Sequence, residues 1–187
     1  AAAAHEYVAF ASGSGVTPIM SIIKSILERE PGSRFTFFYG NRDTKSIIFR
    51  ELLSDLKDRY LDRFTLVHVL SREAQEMDIL HGRLDETHIR KLANRAMFDA
   101  TKVDAIFLCG PGDMIEKATD TLVELGAARD KIRFEMFAPA DGSTPKPASK
   151  AAQAAARSGV EVTTVLDGTN RNFQVEENDD NLIDAAH

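Results

Sequence analysis

The feature that most constrains this chain is the alternation of short apolar runs with longer amphipathic segments. The apolar runs are rich in β-branched and aromatic residues, which is typical of strands, and they cover residues 7–11, 34–39, 64–70, 103–109 and 132–137. The segments between them have helical spacing and cover residues 18–29, 47–60, 85–98 and 113–125. Nearly continuous apolar strands separated by helices are buried on both faces of a sheet. The sequence therefore predicts an α/β fold, with a five-stranded parallel Rossmann-like sheet and helices on both faces.

A second unit of different composition follows residues 1–138. Residues 139–159 contain three of the six prolines and no aromatic or large aliphatic side chain, so they cannot bury a core and are interpreted as a linker. Residues 160–187 hold seven of the 29 acidic residues but only one of the 23 basic residues, Arg171. The net charge of −6 therefore belongs to this tail, because the 22 basic and 22 acidic residues of 1–159 cancel.

Within the tail, residues 160–175 alternate in polarity around a turn at Asp167 and Gly168, which predicts a β-hairpin. Residues 179–184 have the composition of a capped helix start. The tail is shorter than the roughly 40 residues that usually fold alone. We therefore expect it to be the first piece of a truncated domain.

Composition excludes several classes of function. The net charge of −6 argues against a dedicated nucleic-acid binder. No apolar run approaches the roughly 18 residues that span a bilayer. A single cysteine cannot form an internal disulfide, and with five scattered histidines it gives no zinc-ligand pattern. We expect a soluble, cytoplasmic protein that binds no metal through its own residues and has no nucleic-acid or membrane partner.

The strongest local motif is AFASGSGVTP, where the first strand gives way to the first helix. Gly13 and Gly15 permit a tight turn, Thr17 is predicted to cap the helix, and Pro18 suits its first position. Free backbone N–H groups at such a helix end can bind a pyrophosphate. The alternative is that the glycine turn has only a structural role in folding. The motif differs from G-x-G-x-x-G because Pro18 occupies the place of the third glycine, and no G-K-[ST] of a P-loop follows.

Basic and polar residues follow the second and third strands. The second strand leads into Asn41 and Arg42, where an NAD site would place an acid. The third leads into Ser71 and Arg72, and a hydroxyl with a guanidinium suits a phosphate monoester. These residues favour NADP over NAD. The alternative interpretation is that Arg42 and Arg72 are ordinary surface residues in loops.

The fourth and fifth strands end in further candidates. Gly110, Pro111 and Gly112 form a turn that brings the backbone close to a ligand, and Cys109 is expected to face the crevice. Cys109 has no sequence support as a nucleophile; it is interpreted as a small wall of the site, with a buried core cysteine as the alternative. Glu135 interrupts the last apolar run and is either a polar contact near the reacting groups or a solvated carboxylate.

The ordered series ASGSGVTP, YGNR, LSRE, HGRLD, CGPGDMI and FEMF resembles the NAD(P)-binding domain of the ferredoxin-NADP reductase superfamily. Within it the likeness is greatest to the reductase components of phenylacetyl-CoA epoxygenase systems, which serve phenylacetate degradation. The tail is similar to the opening of a β-grasp [2Fe-2S] ferredoxin domain. The resemblance implies an NAD(P)H-dependent flavin oxidoreductase that passes electrons from NADPH through FAD and [2Fe-2S] to an oxygenase component.

The resemblance also implies roles for individual residues. Catalytic roles fall to Cys109, near the nicotinamide, and to Glu135, which faces the flavin ring. It implies that the pyrophosphate and nicotinamide ribose are bound by Gly13, Ser14, Gly15 and Thr17. It places around the 2′-phosphate the residues Arg42, Ser71 and Arg72. Along the dinucleotide it places Gly110, Pro111, Gly112 and Met114, and it places Phe137 against the flavin.

Two parts of the family pattern are missing from this sequence. No R-x-Y-[ST] motif of a flavin domain occurs, and the four cysteines of a [2Fe-2S] site are absent. We therefore expect FAD and the cluster to be bound by an FAD domain and a completed ferredoxin domain of the same polypeptide. The chain alone should bind dinucleotide without turnover.

Two alternatives remain open at this point. The same fold could serve another ferredoxin reductase-type or flavohaemoglobin-like system. A non-catalytic nucleotide-sensing module, with the acidic tail as a docking arm, is the second.

Overall fold

The computed structural model describes residues 4–136, 160–166 and 169–175. The chain separates into two units, Ala1–Pro139 and Ala140–His187, and each is described by itself. The predicted linker, the predicted helix start at residues 179–184, the hairpin turn and Phe137 lie outside the described residues.

The first unit is built on a parallel sheet that confirms the predicted fold class. Its strands are β1 (Glu6–Ser12), β2 (Arg34–Asn41), β3 (Phe64–Leu70), β4 (Ala105–Gly110) and β5 (Ile132–Met136). The strand order is β3-β2-β1-β4-β5, and every neighbouring pair is parallel. The chain builds outward from β1 on one side and then crosses to the other side. Ligands of open α/β sheets bind at the carboxyl ends of the strands beside such a reversal.

Helices cover both faces of this sheet, as predicted. They are α1 (Val16–Arg29), α2 (Arg50–Arg59), α3 (Glu86–Asn94) and α4 (Gly112–Glu124). Successive strand residues point to opposite faces: Ala9 and Ala11 pack in the layer under α1 and α2, while Val8 and Phe10 pack in the layer under α3 and α4. Aromatic rings lie in both layers: Phe10 stacks on Phe38 under α3 and α4, and Phe37 stacks on Tyr39 under α1 and α2.

Two predicted helices are shorter in the structure because left-handed residues limit them. Phe49, with φ 57°, directly precedes α2, which begins at Arg50 rather than at residue 47. Ala96, with φ 55°, follows α3, and the Met97 amide donates back to the Leu92 carbonyl at 3.1 Å. This bonding ends α3 at Asn94 instead of residue 98.

The described part of the second unit is a two-stranded antiparallel sheet of β6 (Val160–Leu166) and β7 (Thr169–Val175). Val160 lies opposite Val175, and Leu166 lies opposite Thr169. The predicted hairpin pairing is therefore confirmed.

Neither a membrane-spanning helix nor a cluster of metal ligands occurs among the described residues. No helix there is long and apolar enough to cross a membrane. No group of three or more His, Cys, Asp or Glu side chains there is arranged to hold a metal ion.

Candidate functional site

A cavity of about 1060 Å³ opens at the carboxyl ends of the strands of the first unit. Its volume is at the upper end of the range for small-molecule sites, which suits an extended ligand. The turns after β1, β2, β3 and β4 contribute its walls, together with the loop before α3 and the first turns of α4. Its lining is Ser12, Gly13, Ser14, Gly40, Asn41, Arg42, Ser46, Ser71, Arg72, Gly82, Arg83, Leu84, Asp85, Gly110, Pro111, Asp113, Met114 and Lys117.

The glycine turn after β1 is held in place by β2 and β4, the strands on either side of β1. Gly13 has φ 54° and begins a 3-10 turn that runs directly into α1. The buried Tyr39 hydroxyl donates to the Gly13 carbonyl at 2.8 Å. At Gly15, an added Cβ would lie only 2.3 Å from the Cys109 carbonyl oxygen. The turn therefore needs glycine at 13 for its backbone conformation and at 15 for the approach of α1 to β4.

The start of α1 corrects one local prediction. The helix begins at Val16 with Gly15 at its N-cap, so Thr17 is not the cap and Pro18 is the third helical residue. The Thr17 hydroxyl instead donates to the Ser14 carbonyl at 3.0 Å. The helix starts early because the 3-10 turn continues into it without a break. Gly15, Thr17 and Pro18 stand outside the cavity lining, and their contacts with a cofactor remain predictions.

The loops after β2 and β3 carry the two predicted arginines into the same cavity. The Ser71 amide donates to the Asn41 carbonyl at 3.0 Å, and the Arg72 amide donates to the Arg42 carbonyl at 2.8 Å. Parallel pairing thus continues beyond the strand ends, and all four residues line the cavity. The buried side-chain amide nitrogen of Asn41 has no hydrogen-bond partner among the described residues.

A further basic wall of the cavity was not assigned from the sequence. The Gly82 amide donates to the Leu70 carbonyl at 3.0 Å, which fixes the loop before α3 against the end of β3 and places Arg83 on the lining. Lys117, on α4, also lines the cavity. Arg83 lies in the HGRLD motif, but the spacing of this motif along the sequence does not indicate that Arg83 lies near Arg72 in the fold. Lys117 had no local signal, because only the docking of α4 brings it here.

The turn after β4 contributes Gly110 and Pro111 to the cavity lining. Met114 also lines the cavity, and its sulfur would lie 2.9 Å from a Cβ added at Gly110. Gly112 is the first residue of α4 and is not part of the lining. The predicted cofactor contacts of these residues remain predictions.

Cys109 does not face the crevice, contrary to the sequence-based expectation. Its side chain is fully buried in the layer under α1 and α2, because its position in β4 points it to that face. Burial, followed by the nearby charge of Glu135, raises the pKa of the Cys109 thiol to about 11. The thiol is therefore neutral at pH 7.

Glu135 lies opposite Cys109 in the pairing of β4 with β5, and its side chain is exposed. It is also outside the cavity lining. The catalytic roles of Cys109 and Glu135 remain predictions.

Replacing Tyr39 with phenylalanine is expected to lower the free energy of unfolding by about 1 kcal/mol. The ring, which stacks on Phe37 with centroids 5.2 Å apart, would be retained, but the Gly13 carbonyl would lose its buried donor. Urea unfolding followed by circular dichroism measures the change. Tyr60→Phe is the control, because the Tyr60 hydroxyl has no hydrogen bond in the described part of the chain and its ring would still lie under Arg63. Equal effects of the two substitutions would contradict the assigned role of Tyr39.

Comparison with known proteins agrees with the resemblance stated from the motifs. The family model for the oxidoreductase NAD-binding domain matches residues 10–120. The chain is 37% identical over 181 residues to a component of the 1,2-phenylacetyl-CoA epoxidase of Escherichia coli, covering 97% of this chain and 49% of that protein. It is 36% identical over 133 residues to the ferredoxin reductase component of 3-ketosteroid-9-alpha-monooxygenase of Mycobacterium tuberculosis, covering 71% and 33%. The chain thus spans between a third and a half of the length of these relatives.

Solved structures show the same fold. The cytochrome P450 reductase GcoB of Amycolatopsis matches with a TM-score of 0.61 at 20% identity, covering 73% of this chain and 39% of that one. The flavohemoglobin of Malassezia yamatoensis matches with a TM-score of 0.59 at 22% identity, covering 72% and 32%. The family model matches most of the first unit, and the parallel sheet, the glycine turn and the cavity at the strand ends agree with that match. The chain therefore belongs to the ferredoxin reductase-type family of oxidoreductase NAD-binding domains.

Proposed function

We propose that this chain is the NADP(H)-binding part of a reductase that moves electrons from NADPH through FAD and [2Fe-2S] to an oxygenase such as phenylacetyl-CoA epoxygenase. The observation that carries the choice of NADP is the placement of Arg42 and Arg72 on one cavity wall, joined through their backbones. Two guanidinium groups in one place suit the dianionic 2′-phosphate, which NAD lacks.

The chemistry of the cavity fits a dinucleotide phosphate. Four basic side chains line it, Arg42, Arg72, Arg83 and Lys117, against two carboxylates. Among the described residues, no atom beyond the chain neighbours of Gly13 lies within 4 Å of a Cβ built there, so the backbone is open to a ligand. The amide nitrogen of Asn41, which has no partner in the described part of the chain, is a further donor for an anionic or carbonyl oxygen.

In this proposal each wall holds one part of the cofactor. Gly13 and Ser14 bind the pyrophosphate near the N-terminal end of α1, where the helix dipole favours negative charge. Ser71 donates its hydroxyl to the 2′-phosphate beside the two arginines. Gly110 and Met114 flank the nicotinamide half. When bound, NADPH supplies a hydride, and the residues of this chain bind and orient it.

The electron acceptors are proposed from the relatives. The names of the E. coli and M. tuberculosis proteins connect them with an epoxidase and a monooxygenase, which supports an oxygenase as the final partner. We further propose that residues 139–159 are a linker, and that β6 and β7 begin a β-grasp [2Fe-2S] ferredoxin-like domain. The FAD domain and the completed ferredoxin domain would belong to the same polypeptide, in the cytoplasm.

Calorimetric titration of the chain with 2′-phospho-ADP and with ADP tests the proposal. We expect 2′-phospho-ADP to bind at least tenfold more tightly, because each hydrogen bond from an arginine to the phosphate contributes roughly 1.5–3 kcal/mol. Adding salt should reduce this preference by screening the charges. Tighter binding of ADP would overturn the NADP assignment, and binding of neither ligand would overturn nucleotide binding at this cavity.

A further inference from the structure

Glu73 joins the two arginine loops through a pair of short hydrogen bonds. One carboxylate oxygen accepts from the Thr44 amide at 2.7 Å, and the other accepts from the Thr44 hydroxyl at 2.6 Å. Thr44 lies two residues after Arg42, and Glu73 directly follows Arg72. The carboxylate therefore bridges the loop after β2 and the loop after β3 just beyond the two arginines.

The partner of Glu73 is itself held in a fixed turn. Thr44 begins a 3-10 turn, Thr44–Ser46, which Asp43 caps. The Asp43 carboxylate accepts from the Ser46 amide at 2.9 Å, and the Ser46 hydroxyl accepts from the Asp43 amide at 3.1 Å. Because this turn is closed on itself, the Glu73 bonds tie the Arg72 loop to a rigid element rather than to a loose one.

The charge of Glu73 opposes the binding of an anion nearby. Its hydrogen bonds from the Thr44 hydroxyl and amide hold the pKa of the Glu73 carboxyl below its ordinary value, so the group is ionised at pH 7. A negative charge next to a phosphate site weakens phosphate binding. Any favourable effect of Glu73 on a phosphorylated ligand must therefore come through the geometry of the loops.

We propose that Glu73 is a positioning residue that fixes Arg42 and Arg72 at the spacing required by one phosphate monoester. Glu73 is not part of the cavity lining, whereas both arginines are, so it acts through them without touching the ligand. The direct bond from the Arg72 amide to the Arg42 carbonyl sets the distance between the loops, and Glu73 prevents them from twisting about that bond. This inference rests on the proposed NADP site.

Substitutions at Glu73 separate geometry from charge. Glu73→Ala should weaken the binding of 2′-phospho-ADP by about tenfold and change ADP binding by less than about twofold. Glu73→Gln removes the charge but keeps an oxygen for the Thr44 amide and an NH₂ donor for its hydroxyl, so it should bind 2′-phospho-ADP at least as tightly as the wild type. Glu76→Ala is the matched control, because it removes an equal charge from an exposed position in the same loop.

The outcomes distinguish the inference from the proposed function. Tighter binding of 2′-phospho-ADP by Glu73→Ala, or equal weakening of both ligands, would overturn the positioning role. A wild-type chain that binds no 2′-phospho-ADP would overturn the proposed function. In that event amide hydrogen exchange still tests the coupling of the loops: the Thr44 and Arg72 amides should lose protection in Glu73→Ala and keep it in Glu73→Gln. Unchanged protection in Glu73→Ala would overturn the inference.

Discussion

Replacing Gly15 with alanine should lower the free energy of unfolding by about 3 kcal/mol or more, because the new methyl group would meet backbone atoms. Its Cβ would lie 2.3 Å from the Cys109 carbonyl oxygen and 2.8 Å from the Cys109 carbonyl carbon. Those atoms belong to β4, which pairs with both β1 and β5. Neither α1 nor β4 can move without disturbing the centre of the sheet. Thermal or urea unfolding of the variant measures this effect.

Two other glycine substitutions calibrate this result. In Gly13→Ala the new Cβ would meet no atom within 4 Å beyond its chain neighbours in the described part of the chain, but it would stand on a residue with φ 54°, which costs roughly 1–2 kcal/mol. Gly110→Ala would meet the Met114 sulfur at 2.9 Å, and that flexible side chain can turn away. Gly15→Ala should therefore destabilise the chain most. A smaller effect at Gly15 than at Gly13 would contradict the close packing of α1 on β4.

The fold was predictable because most of its information is local. The apolar run at residues 64–70 matches β3 without error, and the strands are too apolar for any position except the middle of a layered sheet. The ends of helices were less predictable where tertiary contacts decide them. Phe49 adopts a left-handed conformation that its residue type does not favour, so no propensity rule could indicate that α2 begins after it.

The site was predictable where it depends on strand ends and less so elsewhere. Arg42 and Arg72 each follow a strand, and parallel strands end at one edge, so their meeting in the cavity follows from the predicted topology. Arg83 and Lys117 reach the same cavity from a loop and a helix whose positions depend on packing. For Cys109 the strand-end rule gave a wrong expectation. Its position at the end of a strand suggested access to the crevice, but the alternation of side chains along β4 points it into the core.

Replacing Arg72 with alanine should remove most of the preference for 2′-phospho-ADP over ADP. The loss is expected to be about 1.5–3 kcal/mol, or roughly ten- to 150-fold in the dissociation constant, if the guanidinium makes a charged hydrogen bond to the 2′-phosphate. ADP binding should change little, because ADP has no group at that position. Arg72→Lys keeps the charge but loses the planar pair of donors, so it should be intermediate. Calorimetric titration with both ligands measures both variants against the wild type.

The control for Arg72→Ala is Arg29→Ala, which removes the same charge at the last residue of α1. Because α1 starts at the carboxyl edge of the sheet, Arg29 lies at the opposite edge, so its removal should leave the preference between the ligands unchanged.

Lowering the pH through about 6 should also reduce the wild-type preference for 2′-phospho-ADP, since the 2′-phosphate then takes up a proton and loses charge. This dependence should be weaker in Arg72→Ala, because one of the two guanidinium groups that sense the second charge is gone. If Arg72→Ala weakens the binding of 2′-phospho-ADP and of ADP equally, Arg72 contacts a part that both ligands share. That result would contradict its assignment to the 2′-phosphate.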